Sequence, residues 1–196
     1  MAGRIAHLIS IGMVAVAACG CSTKPARFYT LDSTASPDGA PAAHIAVTVG
    51  PVAVPASVDQ PEFVVQVASN RVELDEFNRW AAPLSDSIAR VVAGDLVVRL
   101  GTSDVATSPM ANFIPAYSVT INVQRFESTR NQGVLLDAVW AVHQTAGGAM
   151  RSGRTVAQEA AQGDSYDALA AAHSRALARM SGNIAAAIRA EARNNP

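Results

Sequence analysis

Several scarcities limit what this chain of 196 residues can be. Lys and Arg number 15 against 16 Asp and Glu, so no basic field exists to hold nucleic acid or to mark an anionic lipid surface. Aromatic residues make up only 5% of the chain, which predicts a core built from Val, Leu, Ile and Ala. The apolar run within residues 5–18 is shorter than the roughly 20 residues that cross a bilayer as a helix. A retained membrane anchor is therefore the weaker interpretation of that run.

The first 21 residues have the pattern of a bacterial lipoprotein signal. Arg4 supplies the positive start, an apolar run follows, and the small residues Ala17 and Ala18 precede Cys19. We predict a signal peptide at residues 1–18, an acylated Cys19 with a tether over residues 19–27, and a single domain over residues 28–196. The acyl chains would hold the protein to a membrane, because each buried methylene contributes about 0.8 kcal/mol.

The cysteine content agrees with this prediction. Cys21 fits the processing site less well than Cys19, since Ala18, Cys19 and Gly20 would then precede it. With Cys19 acylated, Cys21 is the sole remaining thiol and no internal disulfide can form. Gly20 is not the Asp that retains many lipoproteins at the inner membrane, which favours the outer membrane by analogy.

Hydrophobic periodicity predicts an α+β domain, with an antiparallel sheet and two long helices packed on one face. The low-complexity stretch 32–43 is predicted to be a loop, because its Pro, Gly and Ser oppose regular structure. The predicted elements are a strand over 45–49 that stops at Gly50-Pro51, a hairpin over 62–74, a helix over 84–100, a three-strand meander over 117–160, and a helix from Ser165 to about residue 192.

The sequence has no motif that demands catalysis. No nucleophile elbow, phosphate loop or dinucleotide fingerprint occurs, and Gly163-Asp164-Ser165 is better explained as a helix cap than as an esterase motif. Asp95 falls within the apolar arc of the first helix and His173 within that of the last, where we expect hydrogen-bonded structural groups. We therefore predict that the protein is not an enzyme and needs no cofactor or metal.

A set of short motifs resembles the ABC-type transport auxiliary lipoproteins, the family of paraquat-inducible protein C (PqiC-like). They occur in the family's order over nearly the whole chain after the signal, and the one at Arg79 to Leu84 is fairly specific. They are Phe28-Tyr29-Thr30-Leu31, Val49-Gly50-Pro51-Val52, Asn78-Arg79-Trp80-Ala81-Ala82-Pro83-Leu84, Leu136-Asp137-Ala138-Val139-Trp140 and Asp164-Ser165-Tyr166-Asp167-Ala168-Leu169.

The resemblance implies a lipoprotein anchored to the outer membrane and facing the periplasm. Its partner would be an MCE-domain protein of an ABC transport system that moves lipids across the periplasm, with this chain as a docking subunit and not a catalyst. A homo-oligomer is compatible with this role, although no residue fixes a copy number. A periplasmic lipid carrier with its own apolar cavity and an envelope esterase using Ser165 remain as alternatives.

The candidate site residues come from the most specific motif: Arg79, Trp80, Pro83 and Leu84. Trp80 could be a hot spot for a partner, because aromatic side chains dominate interface energetics. The favoured interpretation is a structural residue wedged under the first helix, and the same preference applies to Trp140.

Overall fold

The computed structural model describes residues 24–108, 110–148 and 150–194, which form eight strands and two helices. The predicted signal peptide and Cys19 lie outside these described residues. The elements are β1 (Arg27–Tyr29), β2 (Val47–Ala53), β3 (Glu62–Ala68), β4 (Arg71–Trp80), α1 (Leu84–Leu100), β5 (Val105–Ala106), β6 (Tyr117–Thr129), β7 (Gly133–Gln144), β8 (Met150–Ala160) and α2 (Tyr166–Asn194).

The predicted three-strand meander is confirmed as β6, β7 and β8, which pair antiparallel along their lengths. Alternate residues of β6 and β7 are buried, as the period of two requires. Trp140 of β7 lies directly opposite Gly153 of β8. A Cβ added at Gly153 would lie 2.3 Å from Cζ2 of Trp140, so only glycine leaves room for the indole ring. Trp140 is therefore packed into the meander, and its Nε1 donates to Oγ1 of Thr155.

The sheet as a whole is mixed, so the prediction of an antiparallel sheet is wrong in this respect. β2 pairs parallel with both β6 and β5, and β1 pairs parallel with β4. Parallel neighbours need a crossover connection, and the path from β2 to β6 through β3, β4 and α1 supplies one. Side chains alternate in both kinds of pairing, so the sequence pattern does not distinguish them. Strand β2 also continues through Gly50-Pro51 to Ala53, with a shift in register, where the sequence predicted its end.

The two helices pack against each other and against the same sheet, which confirms the α+β class. Helix α1 begins after Pro83, and Gly101 ends it in the left-handed conformation with φ of 65°. Such a conformation favours glycine, because a side chain would be strained there. Helix α2 begins after Ser165, whose Oγ accepts a hydrogen bond from the backbone N–H of Ala168. In the described part of the chain, neither helix combines the length and apolarity needed to cross a membrane.

Residues 32–43, which we call the strap, have no regular secondary structure but lie against both helices. At their start, the buried Asp95 of α1 holds them. Its Oδ1 accepts hydrogen bonds from Ser33 Oγ at 2.7 Å and from the backbone N–H groups of Thr34 and Ala35. Its Oδ2 accepts from Ser181 Oγ of α2 at 3.0 Å. One carboxyl group therefore joins the strap, α1 and α2.

Contacts at the far end of the strap complete its attachment. Arg189 of α2 donates from Nη1 to the carbonyl of Pro41, and the N–H of Ala43 donates to the carbonyl of Leu100 at the end of α1. Gly94 allows the strap to approach α1 closely, since a Cβ there would lie 3.1 Å from Cβ of Ser33. The low-complexity segment is thus part of the folded domain.

Replacing Asp95 tests this arrangement. We expect Asp95→Ala to lower the free energy of unfolding by about 2 to 3 kcal/mol. The strap and Ser181 would lose the carboxylate that accepts their hydrogen bonds, and the donor groups would stay partly shielded from water. Urea unfolding followed by circular dichroism measures the change. Asp86→Ala is the matched control, since Asp86 is exposed in the first turn of the same helix and should cost less than about 1 kcal/mol. Equal effects of the two variants would contradict the role assigned to Asp95.

Candidate partner-binding site

An open pocket of about 370 Å³ lies where β4 turns into α1. Residues 59–61 form one wall and residues 80–84 the other, and we call this the corner pocket. The backbone fixes both walls. The N–H of Trp80 donates to the carbonyl of Pro61 at 2.7 Å, and the N–H of Ala81 donates to the carbonyl of Tyr29 at 2.9 Å. The mouth is therefore held by main-chain bonds to two other segments.

The structure brings together three of the four predicted site residues. Trp80 and Leu84 are buried, at 7% and 3% exposure, and Pro83 is exposed between them, so all three line the corner pocket. Arg79 does not line it, because successive side chains of a strand point to opposite faces. Its guanidinium instead pairs with Glu62 at 2.9 Å across β3 and β4. A contact between these residues and a partner remains a prediction.

A cluster of aromatic rings forms the floor beneath the pocket. Trp80 stacks on Phe63 with ring centroids 4.4 Å apart, and meets Phe126 and His173 edge-on at 6.2 Å. Strands β3, β4, β6 and helix α2 each contribute a ring to this cluster. Such packing fixes the rotamer of Trp80, since protein interiors are as dense as organic crystals. The wall of the pocket is therefore rigid, and Trp80 has the structural role that the sequence favoured.

His173 lies in this floor, and the expectation of a packed, hydrogen-bonded histidine is confirmed. Its side chain is fully buried, with Nε2 2.8 Å from Oγ of Ser128 and the ring stacked on Phe126. Nδ1 has no hydrogen-bond partner. Burial lowers the pKa of His173 to about 3, because the imidazolium would lose its hydration. The ring is therefore neutral at physiological pH.

A polar contact borders the cluster at the start of α2. The hydroxyl of Tyr166 donates to Oδ2 of Asp75 at 2.9 Å and accepts from Nη2 of Arg130. Burial and this bond to Asp75 raise the pKa of Tyr166 to about 12. Its neighbour Ser165 is the helix cap already described, so its Oγ is engaged with the backbone. Within the described residues, no cluster of three or more His, Cys, Asp or Glu side chains could hold a metal ion.

A comparison with protein families identifies the family of this chain. Residues 29–185 match the family model of the ABC-type transport auxiliary lipoprotein component. The chain belongs to this family. The resemblance seen in the sequence motifs is thereby confirmed. The family's members are lipoprotein components of ABC-type transport systems, so this chain is a membrane-anchored accessory protein of such a system in the cell envelope.

Solved structures share the fold of this family member. A crystal structure of an uncharacterized protein has a TM-score of 0.70 at 22% identity, over 84% of this chain and 99% of that one. A second, the protein XCC0632 from Xanthomonas campestris, of family DUF330, has a TM-score of 0.65 at 18% identity, over 81% and 92% of the two chains. No curated protein matches the sequence.

Sequence reasoning missed the second wall of the corner pocket, Asp59, Gln60 and Pro61. These residues follow a short turn and precede β3, and they have no periodicity of their own. Pro61 could have indicated the start of a strand, because proline within sheets is confined to edge strands, strand starts and bulges. It could not have indicated a pocket wall. Its distance from Trp80 in the sequence hides their contact, which depends on the pairing of β3 with β4.

The pKa of His173 leads to a prediction for stability. An unfolded histidine titrates near 6.5, whereas in the fold its pKa is about 3, so between these values the unfolded chain binds more protons. Stability contributed by the neutral ring is therefore complete above pH 6.5 and falls as the pH drops toward 3. We expect this residue to lower the free energy of unfolding by roughly 1 kcal/mol between pH 6 and pH 5.

Urea unfolding at these two pH values, with His173→Phe as the comparison, measures this effect. The variant should lose that part of the pH dependence, while the carboxyl groups, which titrate lower, contribute equally to both proteins. His143→Phe is the control, because His143 is only partly buried and no ring stacks on it. An unchanged slope in His173→Phe would show that the imidazole is not kept neutral by burial.

Proposed function

We propose that this protein is the outer-membrane docking subunit of an MCE-type ABC transport system that moves lipids across the periplasm. It is anchored by acyl chains on Cys19 and binds the periplasmic MCE-domain protein through the corner pocket. Family membership supports the accessory role in transport. The observation that carries the docking role is the corner pocket itself, where Trp80, Pro83 and Leu84 combine apolar walls with a rigid frame.

The pocket has the properties that a docking site needs. Its mouth carries the exposed residues Ala81, Ala82 and Pro83, which are small or apolar and present little that must be desolvated. Its floor is already ordered by the aromatic cluster, so binding would cost little conformational entropy there. Asp59 and Gln60 at the rim offer polar groups that can orient a partner segment. An apolar segment of the MCE-domain protein with a polar flank fits this surface.

The anchor can be tested through Cys19. We expect Cys19→Ala to move the protein from the outer-membrane fraction to the soluble periplasm, because the acyl chains supply the membrane affinity. Density-gradient fractionation of the envelope followed by immunoblotting measures this shift. Cys21→Ala is the matched control and should stay in the outer membrane. Release of the Cys21 variant instead, or wild-type protein in the inner membrane, would contradict the proposed anchor and location.

The docking role can be tested at the mouth of the pocket. Ala82→Arg places a long charged side chain at an exposed position, so it should block binding without disturbing the core. We expect pull-down of the MCE-domain protein by the acylated chain to fall at least about tenfold, which corresponds to about 1.4 kcal/mol. Ala146→Arg makes the same change at an exposed turn between β7 and β8, and should bind as the wild type does.

The two arginine variants separate a local effect from a general one. Circular dichroism and thermal unfolding should show both to be folded like the wild type. Recovery of the MCE-domain protein at wild-type levels by Ala82→Arg would remove the corner pocket from the interface. Failure of the wild-type protein to recover any MCE-domain protein, even after crosslinking in intact cells, would overturn the proposed function.

A further inference from the structure

One edge of the sheet carries an apolar patch that the corner pocket does not use. In the described part of the chain, ten large apolar side chains are exposed, and four of them lie on this edge. Strand β1 covers only residues 78–80 of β4, so residues 71–77 of β4 form the outermost strand beyond it. We call the four side chains the edge patch: Phe28, Val72, Leu74 and Phe77.

The edge patch is not a by-product of core packing. Val72 and Leu74 alternate with polar residues and pair across to Gln66 and Val64, so they lie on the face opposite Phe63. Phe28 is 64% exposed. An edge strand does not need an apolar side chain at such a position, because natural edge strands commonly carry charged residues there. A concentration of exposed apolar side chains indicates a surface that meets another apolar phase.

The charges around the edge patch are mixed and nearly balance. No strong field of one sign therefore directs this edge toward a charged partner, whereas zwitterionic lipid headgroups suit it. Phenylalanine side chains at such an edge can enter the boundary between headgroups and acyl chains. The charged residues concerned are Lys24, Arg27 and Arg71 against Glu73 and Glu76.

The start of the described chain lies at this edge. Nζ of Lys24 is 5.4 Å from the centre of the Phe77 ring. Cys19 precedes Lys24 by five residues, which span at most about 18 Å when fully extended. An acylated Cys19 has its backbone at the membrane surface. The covalent chain therefore holds Lys24, and with it the Phe77 end of the edge patch, near the bilayer.

We propose that the edge patch rests on the phospholipid surface, with Phe28 and Phe77 inserted among the headgroups. This inference rests on the proposed anchor at Cys19. The acyl chains supply the affinity, so the patch sets the orientation of the domain. Ala82 of the corner pocket is five residues from Phe77 along the chain, which is at most about 17 Å. The partner then docks close to the membrane face and not at the far end of the domain.

Quenching by brominated lipids tests the orientation. Phe28→Trp and Phe77→Trp are made in the full acylated chain and placed in phosphatidylcholine vesicles that carry bromine on the acyl chains near the headgroups. Val156→Trp is the matched control, because Val156 is an exposed apolar residue on β8, at the opposite edge of the sheet. The buried Trp80 and Trp140 give a background common to all three variants.

We expect the fluorescence added at positions 28 and 77 to fall roughly twofold in brominated vesicles, and that added at position 156 to stay unchanged. Flotation with the vesicles and the mass of the N-terminal peptide are measured first. Absence of acylation there overturns the proposed anchor and this inference with it. An acylated, floating protein whose residues 28 and 77 are not quenched, or are quenched no more than residue 156, overturns the inference alone.

Discussion

The fold depends on one buried carboxyl group. Asp95 has no exposure to solvent and accepts hydrogen bonds from the strap on one oxygen and from α2 on the other. A polar group in such a place is costly unless it is fully hydrogen-bonded, so its partners must stay where they are. The two helices and the strap are thereby fixed relative to one another. Helix α1 in turn sets the position of Leu84, at its first turn, in the wall of the corner pocket.

The strap gives this constraint a consequence for the anchored protein. It begins shortly after β1, and β1 follows the proposed tether to Cys19. Arg90 also reaches across from α1 to the carbonyl of Leu31, between β1 and the strap. A force on the tether is therefore carried into the helix pair and the sheet together. Such continuity suits a membrane-anchored lipoprotein.

The corner pocket and the aromatic cluster form one unit. The pocket exposes small residues at its mouth, while the cluster below is buried and its histidine is neutral. Burial removes the charge of His173, and stacking on Phe126 holds the ring in place. The corner pocket therefore offers shape and apolar area above an ordered floor.

The sequence by itself determined the family, the α+β class, the hairpin, the meander and both helices, because these follow from local periodicity, turn residues and caps. It also indicated Trp80, Pro83 and Leu84, which are neighbours along the chain. Only the tertiary structure decided that β2 runs parallel to β6, that Asp95 binds the strap, and that residues 59–61 complete the pocket. Each of these joins residues far apart in sequence, and side-chain periodicity does not record which distant segments become neighbours.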